Sequence, residues 1–342
     1  MNDNLSRYET LIDGISQTYA NGLEKSATAV LQAMLQTNWE IGQRIVEFEQ
    51  EGKEKADYGL KLVKRISQDM TARHGRGFSH SNLVYMRAIY IAFPKLEMLH
   101  PKLSWWHYIE LLKISDPLER SFYEKQTLHD GWTVRELQRQ KSTLLFHRLA
   151  VGQDKAGILK LAQQGRIVEK PEDLLRNPFV LDFLKMPEPH HWNETDLEKK
   201  LIAQLQEFLL ELGKGFAFIG RQYRIQIGDR FYRIDLVFYH RILKCFVLID
   251  LKKEEVQHGD IGQMNFYLNY FREEENSEGD NEPIGIILAR EKNELVVRYA
   301  TMNIHANLLV GKYQLYLPNR EELEAKLQSI LEDEASALPE NA

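Results

Sequence analysis

Two neighbouring apolar segments of the chain each carry one aspartate, and a lysine follows the second. Both segments are typical of β-strands, with Asp235 in the first and Asp250 in the second. If the turn between them centres between Ile242 and Leu243, the numbers of facing residues sum to 485 and Asp235 faces Asp250. Directly opposed side chains in an antiparallel pair have Cβ atoms about 4.5–5.5 Å apart. The two-residue period of a strand then places Lys252 on the same face as Asp250.

Two carboxylates and an ammonium group at this spacing favour a divalent cation. Like charges directly opposite each other destabilise a strand pair unless a cation joins them. Mg²⁺ binds through one or two protein carboxylates together with waters and substrate phosphate, and Mn²⁺ is a possible substitute. Such an ion generates hydroxide and stabilises charge that develops at phosphorus, while Lys252 could orient or activate the attacking water. The alternative is a surface hairpin whose charged groups pair in solvent, although unpaired charge inside apolar strands is costly.

The second half of the chain predicts a mixed α/β domain that would position these residues. The predicted elements are a helix over 196–212, strands over 216–220, 222–227, 230–239 and 243–252, a helix over 261–271, and strands over 284–289 and 313–317. We expect a connecting segment over 151–190, the α/β domain over 191–318 and an acidic tail over 319–342. His190 and His191 lie in a proline-rich linker and have no partner at metal-ligand spacing.

Residues 1–150 predict a helical domain. One buried helical face is indicated by residues that recur at three- and four-residue steps: Ala27, Val30, Leu31, Met34, Leu35, Ile41 and Ile45. A helix over 60–72, the turn Gly75-Arg76-Gly77 and a third helix follow. Ser79 or Ser81 can cap this third helix, which carries on one side Leu83, Met86, Tyr90 and Phe93. The arrangement is typical of a DNA-reading helix-turn-helix, and equally of a plain αα-hairpin inside a bundle.

The charge of the chain is unevenly placed. Its 342 residues carry a formal net charge of −6, which as an average counts against duplex binding. Residues 1–150 have a net charge of +2 and residues 151–342 a net charge of −8, whereas residues 53–87 hold eight basic and three acidic residues. Candidate phosphate contacts in or beside this stretch are Lys61, Lys64, Arg65, Arg73, Arg76 and Arg87. The alternative is that these side chains only keep two helices solvated.

The remaining composition excludes several classes of protein. A single cysteine, Cys245, rules out an intrachain disulfide and an all-cysteine metal site. No apolar run reaches the roughly 18 residues that a membrane span requires. The first residues lack the basic and apolar regions of a secretory signal. We therefore expect a cytoplasmic protein with no membrane partner.

Long stretches of the chain resemble a known nuclease family. The Asp…Asp-x-Lys pattern on adjacent strands is similar to that of the PD-(D/E)XK superfamily. Two longer strings of this chain resemble the YhcG-like branch of that superfamily: FAFIGRQYRIQIGDRFYRIDLVFYHRILKCFVLIDLKK and GQMNFYLNYF. Three strings from the first half of this chain resemble the helical N-terminal domain of that branch: WEIGQRIVEFEQ, DYGLKLVKRISQDMTARHGRGFSHSNLVYMRAIYIAFP and GWTVRELQRQ. The resemblance implies an α+β multidomain protein: a helical, helix-turn-helix-like N-terminal domain, then a restriction-endonuclease-like α/β domain with a central mixed sheet.

The resemblance also implies roles for single residues. Asp235 matches the first metal-binding aspartate, Asp250 the second acid and Lys252 the motif lysine. The branch more often has glutamate at the second position, and the eponymous proline before the first aspartate is replaced here by Ile234. The main-chain carbonyl of Leu251 would complete the coordination of the metal.

Two further residues match the family and also have structural alternatives. Gln263 would border the active site from the helix after the motif, and it is expected to face inward because it lies one turn before Phe266 and Tyr267. A satisfied core amide is the alternative. Glu198 would be the acid of the first core helix. It is also the third residue of a potential capping box that starts at Thr195. Its inward orientation is favoured because it shares a helical face with Ile202, Leu205 and Leu209.

The function that the resemblance implies is that of a Mg²⁺-dependent DNA endonuclease, with a role in defence against foreign DNA or in recombination. Many nucleases of this superfamily act as dimers, so a homodimer or another oligomer is compatible with it. A second hypothesis from a different class is a catalytically silent nuclease-fold protein that serves as a DNA-binding or assembly module. The aspartate at position 250 and the negative charge of the second half favour this alternative.

Overall fold

The structure, a computed structural model, describes residues 2–51, 56–176, 178–186, 193–302 and 307–333. The chain forms two compact units, Met1–Leu137 and Gln138–Ala342. The helices that lie in the first unit or begin in it are α1 (Asn2–Glu51), α2 (Ala56–His74), α3 (His80–Ala92), α4 (Trp105–Leu112), α5 (Pro117–Asp130) and α6 (Val134–Ser142).

Helix α1 is buried only in its later turns. Leu35, Trp39 and Ile45 are at most 9% exposed. Gly42 lets α1 cross α3 closely, because a Cβ atom there would lie 1.8 Å from the main-chain oxygen of Met86. The buried face predicted from the sequence is wrong before Leu35. Exposed side chains there are Val30, Leu31 and Met34, and the side chain of Ala27 lies outside the described residues. The periodicity is present in the sequence, but in this unit the burial on α1 begins only at Leu35.

A glycine turn joins α2 to α3, as the sequence predicted. Gly75 and Gly77 have φ values of +80° and +122°, which residues with a Cβ atom rarely adopt. Ser79 caps α3 by accepting a hydrogen bond from the main-chain NH of Asn82 at 3.3 Å. The Asn82 side chain donates to the carbonyl of Gly77 at 2.7 Å, so the turn is fixed by its own polar groups.

The second unit contains the mixed sheet. Its helices are α7 (Leu145–Ala150), α8 (Lys155–Gln164), α9 (Glu194–Ala203), α10 (Leu205–Leu212), α11 (His258–Tyr270), α12 (Glu294–Thr301) and α13 (Arg320–Asp333). Its strands are β1 (Phe179–Val180), β2 (Phe216–Ile227), β3 (Arg230–His240), β4 (Cys245–Glu255), β5 (Ile284–Glu291) and β6 (Asn307–Gln314). The strand order is β1-β6-β5-β4-β3-β2. Strands β2, β3 and β4 are antiparallel and the remaining pairs are parallel. The predicted fold class, a helical region followed by a mixed α/β domain, is confirmed.

Two apolar layers cover the two faces of this sheet. On one face α9 and α10 pack through Leu197 and Phe208 against strand residues such as Phe238. On the other face α11 packs through Met264 and Leu268. Cys245 lies in the first layer as the small core residue predicted, and burial raises the pKa of its thiol to about 12. Strands β3 and β4 are covered on both sides, which explains their nearly continuous apolar sequence.

Several element boundaries differ from those predicted. The helix expected over 196–212 is two helices, α9 and α10, with Gln204 between them. The two strands expected over 216–227 are one strand, β2, with a register shift after Phe218 and a left-handed Gln222. The last strand covers Asn307–Gln314 instead of 313–317, and the start of the acidic tail is helical in α13. The linker residues His190 and His191 lie outside the described residues.

Within the described residues, no helix combines the length and the apolar character needed to span a bilayer.

Candidate active site

Strands β3 and β4 pair in the register predicted from the sequence. Leu236 is opposite Ile249 and Phe238 is opposite Val247, and in each pair the two residue numbers sum to 485. The same register places Asp235 opposite Asp250, and their carboxyl groups are within hydrogen-bonding distance. The structure therefore brings the two predicted acids together at the point where the β3–β4 ladder ends.

Asp235 accepts hydrogen bonds that fix its orientation. Its Oδ2 accepts from the main-chain NH of Leu251 at 2.9 Å, and its Oδ1 accepts from Nε2 of Gln222 at 3.0 Å. Asp235 is thus held as an acceptor between β2 and β4.

Asp250 is the buried member of the pair and is 6% exposed. Burial raises its pKa, the neighbouring Asp235 raises it further, and Lys252 opposes both effects, so the pKa lies at about 7. Such a shift shows that two carboxylates in one apolar site cannot both ionise at low cost in the absence of a cation. A divalent ion would remove this cost, because it favours the charged form of both groups.

Lys252 is held between two acids. Its Nζ lies 2.9 Å from Oδ2 of Asp250 and 3.2 Å from Oδ1 of Asp260 in the first turn of α11. Burial alone would lower the pKa of Lys252, but Asp250 and Asp260 raise it above its usual value. The side chain is therefore an ammonium group in this arrangement. It can orient a water or stabilise negative charge, whereas the general-base role left open by the sequence requires a neutral amine.

Glu198 points towards Gln222, which also binds Asp235, and does not cap its helix. The cap of α9 is Asn193, whose partner in the capping box is Asp196, so the capping box expected from Thr195 is wrong. Glu198 is 5% exposed and its Oε2 accepts a hydrogen bond from Nε2 of Gln222 at 2.7 Å. Because the helix starts at Glu194, Glu198 lies in its second turn, where it is buried beside Leu197 and Leu201.

Gln222 joins Glu198 to Asp235 and was not identified from the sequence. Its single Nε2 group donates to both carboxylates. It has φ of +47°, a conformation that costs about 1–3 kcal/mol for a residue other than glycine. The available signal was a polar residue at a break in the strand pattern, but the partners are 13 and 24 residues away.

Gln263 lies beside the site and is exposed, so its predicted inward orientation is wrong. The face of α11 that packs on the sheet carries Met264 and Tyr267 instead. Gln263 Nε2 donates to the hydroxyl of Tyr267, which in turn donates to the carbonyl of Arg233 at 3.1 Å. Burial raises the pKa of Tyr267, and the nearby charge of Asp250 adds to the shift. In the described hydrogen bonds Gln263 therefore contacts Tyr267 and neither aspartate.

The donor set fits a hard divalent ion that keeps part of its water shell. Among the described residues, no three His, Cys, Asp or Glu side chains are grouped so as to hold a metal ion. Mg²⁺ requires less than this, because it is usually bound by one or two carboxylates plus waters and phosphate oxygens. The oxygen donors that face each other here are the carboxylates of Asp235 and Asp250. The main chain of Leu251 adjoins them, because its NH donates to Oδ2 of Asp235.

A cleft of about 570 Å³ opens next to the acid pair, between the start of α9 and the end of β4. Lys252 and Asp260 line it, together with polar residues of the two elements. The cleft gives a large polar ligand access to Lys252.

The basic residues predicted to contact DNA lie in the first unit, on α2, in the turn and on α3. Exposed side chains among them are Lys64, Arg65, Arg73 and Arg76. Arg87 differs from these because its Nε pairs with Oε2 of Glu49 at 2.7 Å. The side chain of Lys61 lies outside the described residues.

Comparisons with known proteins agree with this geometry. Residues 172–328 match the family model described as the YhcG PDDEXK nuclease domain, and residues 14–148 match the DUF1016 N-terminal domain. The chain is 36% identical over 361 aligned positions to an Escherichia coli (strain K12) protein provisionally named as the nuclease YhcG. That alignment covers 95% of this chain and 96% of the relative.

Similar solved structures are distant. A repair endonuclease from Pyrococcus abyssi is 19% identical, with 38% of this chain and 50% of that chain covered and a TM-score of 0.27. A complex of EndoMS with double-stranded DNA is 20% identical, with 36% and 46% covered and a TM-score of 0.26. TM-scores this low carry no argument about the site.

Proposed function

The chain belongs to the YhcG family of PDDEXK nucleases, and from that membership we propose that it is a metal-dependent endonuclease that hydrolyses phosphodiester bonds of DNA. The observation that carries the proposal is the contact between Asp235 and Asp250 on adjacent strands, with the ammonium group of Lys252 at 2.9 Å from the second acid. A buried pair of like charges is costly to fold, and a bound cation offsets that cost.

In the proposed mechanism Asp235, Asp250 and the carbonyl of Leu251 would hold Mg²⁺, or Mn²⁺ in its place. When bound, the ion would supply an activated water and neutralise charge at the phosphate. Asp235 is oriented for this role by the NH of Leu251 and the amide of Gln222. Glu198 shares that amide and would contribute through a water, since it contacts neither aspartate directly in the described hydrogen bonds.

Lys252 is proposed to position the attacking water and to stabilise the negative charge of the transition state. Its pKa is raised by Asp250 and Asp260, although burial opposes the shift, so it acts as a charged donor. Gln263 is proposed to border the site through Tyr267, which it contacts by a hydrogen bond.

The helical unit is proposed to add affinity for DNA. Lys64, Arg65, Arg73 and Arg76 are exposed there, and phosphate contacts by such residues provide most of the sequence-independent affinity for a duplex. Lys61 and Arg87 belong to the same proposal, although Arg87 must release Glu49 to reach a phosphate. The biological use of the activity, in defence or recombination, enters the proposal only through the family resemblance.

The proposal is tested by incubating the full chain with supercoiled plasmid in Mg²⁺, in Mn²⁺ and in a chelator. We expect cleavage in both metals and none in the chelator, because the acid pair has no other means of activating water. Cleavage that is unaffected by the chelator would contradict a metal-dependent site. Salt-sensitive DNA binding without cleavage in either metal would instead favour the alternative, a catalytically silent DNA-binding module.

We also propose that the enzyme acts as a homodimer, because each chain supplies one candidate cleavage site and a duplex has two strands. The plasmid assay described above also tests this proposal. A dimer that cuts both strands in one encounter produces linear plasmid early, whereas accumulation of nicked circles ahead of linear product would contradict this part of the proposal.

A further inference from the structure

The hairpin formed by β2 and β3 extends beyond the rest of the sheet. The β3–β4 ladder runs from the pair His240–Cys245 to the pair Leu236–Ile249. The β2–β3 ladder continues past it as far as the pair Ile227–Arg230. Beyond the acid pair β3 therefore pairs with β2 alone among the described residues, and α11 covers one face of this two-stranded ribbon.

This ribbon is basic although the unit that carries it is acidic. Residues 221–233 contain four arginines and a single acid, Asp229, which gives a net charge of +3. Residues 151–342 as a whole have a net charge of −8. We call this segment the arginine hairpin; its basic residues are Arg221, Arg224, Arg230 and Arg233.

Two of these arginines lie on the sheet face that carries Glu198, which Gln222 joins to Asp235. Ile225 and Ile234 are buried in the layer under α11. Strand alternation therefore directs Arg224 and Arg233 to the opposite face, on which α9 and Glu198 lie. Arg233 is two residues from Asp235 along β3, a distance of about 7 Å at the usual rise of a strand.

The charges of the arginine hairpin are not compensated by acids. Arg224 and Arg233 are directly opposed across the two strands, where like charges destabilise the pair. None of the four guanidinium groups forms an ion pair with a described residue, in contrast to Arg87 of the helical unit. Arg224 instead lies 3.6 Å from the ring centroid of Phe231, which is 52% exposed. An exposed aromatic ring beside unpaired cations is the combination that single-stranded nucleic-acid sites use for bases and phosphates.

We propose that the arginine hairpin binds the DNA backbone next to the bond that is cleaved, with Arg224 and Arg233 contacting phosphates. The inference deepens the proposed function and rests on it, since the acid pair fixes where the phosphodiester must lie. The hairpin is a positively charged segment in a unit whose net charge is negative. DNA then contacts this unit along one face of the ribbon.

The test compares two double variants of the full chain that remove the same charge. Arg224→Gln/Arg233→Gln alters the ribbon, and Arg241→Gln/Lys244→Gln alters exposed residues of the turn at the opposite end of β3. Binding of a labelled duplex is measured in Ca²⁺ at several salt concentrations, with thermal melting as a check on folding. For the ribbon variant we expect the affinity to fall by about tenfold and the salt slope to be reduced by about 2. The turn variant should match the wild type.

Equal losses in the two variants, or an unchanged slope in both, would overturn the inference. The variant Arg224→Lys/Arg233→Lys keeps the charge and should keep the salt slope of the wild type. The proposed nuclease function and the proposed DNA contact of the arginine hairpin are tested by different results. A wild type that binds duplex but does not cleave it in Mg²⁺ or Mn²⁺ refutes the nuclease, whereas the comparison of slopes still decides the hairpin.

Discussion

Replacing Asp250 by asparagine is expected to abolish DNA cleavage and, at the same time, to stabilise the metal-free protein. The substitution removes one of the two carboxylates that hold the ion. Metal ions contribute several kcal/mol of transition-state stabilisation, so at about 1.4 kcal/mol per tenfold change the rate should fall by about 10³. Supercoiled-plasmid cleavage in Mg²⁺ measures this loss. Glu278→Gln, an exposed carboxylate in the loop after α11, is the control that should leave cleavage unchanged.

The gain in stability follows from the raised pKa of Asp250. Its pKa is about 7 in the folded protein, through burial first and Asp235 second, against 3.8 as the ordinary value. The folded state therefore holds more protons than the unfolded state between these two values, and its free energy of unfolding falls as the pH rises from about 4 to about 7. The cost is at most about 4 kcal/mol, since one pKa unit corresponds to about 1.4 kcal/mol.

Urea unfolding in a chelator at pH 5 and pH 8 checks this prediction. At the higher pH the wild type should have a lower free energy of unfolding than the Asp250→Asn variant. Saturating Mg²⁺ should reduce this difference in free energy. An equal pH dependence in the two proteins would contradict the destabilising acid pair. Loss of cleavage together with a large loss of stability would indicate a structural role for Asp250.

Replacing Lys252 by methionine is expected to lower kcat by about 10²–10³, the usual effect of removing one preorganised donor to transition-state charge. The aliphatic part of the side chain is retained, so packing should change little. The value of KM should change much less than kcat, because the ammonium group is held by Asp250 and Asp260 and not by the ground-state substrate.

Single-turnover cleavage of a labelled duplex separates these constants. Lys244→Met, at an exposed position just before β4, is the matched control and should retain wild-type kcat. An unchanged kcat in Lys252→Met would remove the lysine from the site. A rise in KM alone would assign it to substrate binding.

The acid pair could be predicted from the sequence because strand pairing is a local property. The turn between β3 and β4 is short, so one assumed centre fixed every pair, and the observed pairs have the same sum. Apolar residues on both sides of each acid already indicated that the charges would be costly. For the same reason the antiparallel pairing of β2, β3 and β4 followed from the residue pattern.

The contacts that complete the site depend on elements far apart in the chain, and these were missed. Gln222 meets Glu198 across 24 residues, and Lys252 meets Asp260 only after β4 has ended and α11 has begun. Whether Glu198 caps α9 or faces the core depended on the residue at which α9 begins. Helix ends are predicted only to within one or two residues, and a shift of that size moves Glu198 out of the capping position. The exposed stripe of α1 shows the converse, because an apolar period predicts a buried face without specifying the partner.

The measurement that tests the central claim most directly is a calorimetric titration of the full chain with Mn²⁺ in the absence of DNA. If Asp235 and Asp250 hold the ion, the wild type and Glu278→Gln bind it, and the double variant Asp235→Asn/Asp250→Asn does not. Binding of Mn²⁺ to that double variant with the affinity of the wild type would contradict a metal site at the acid pair.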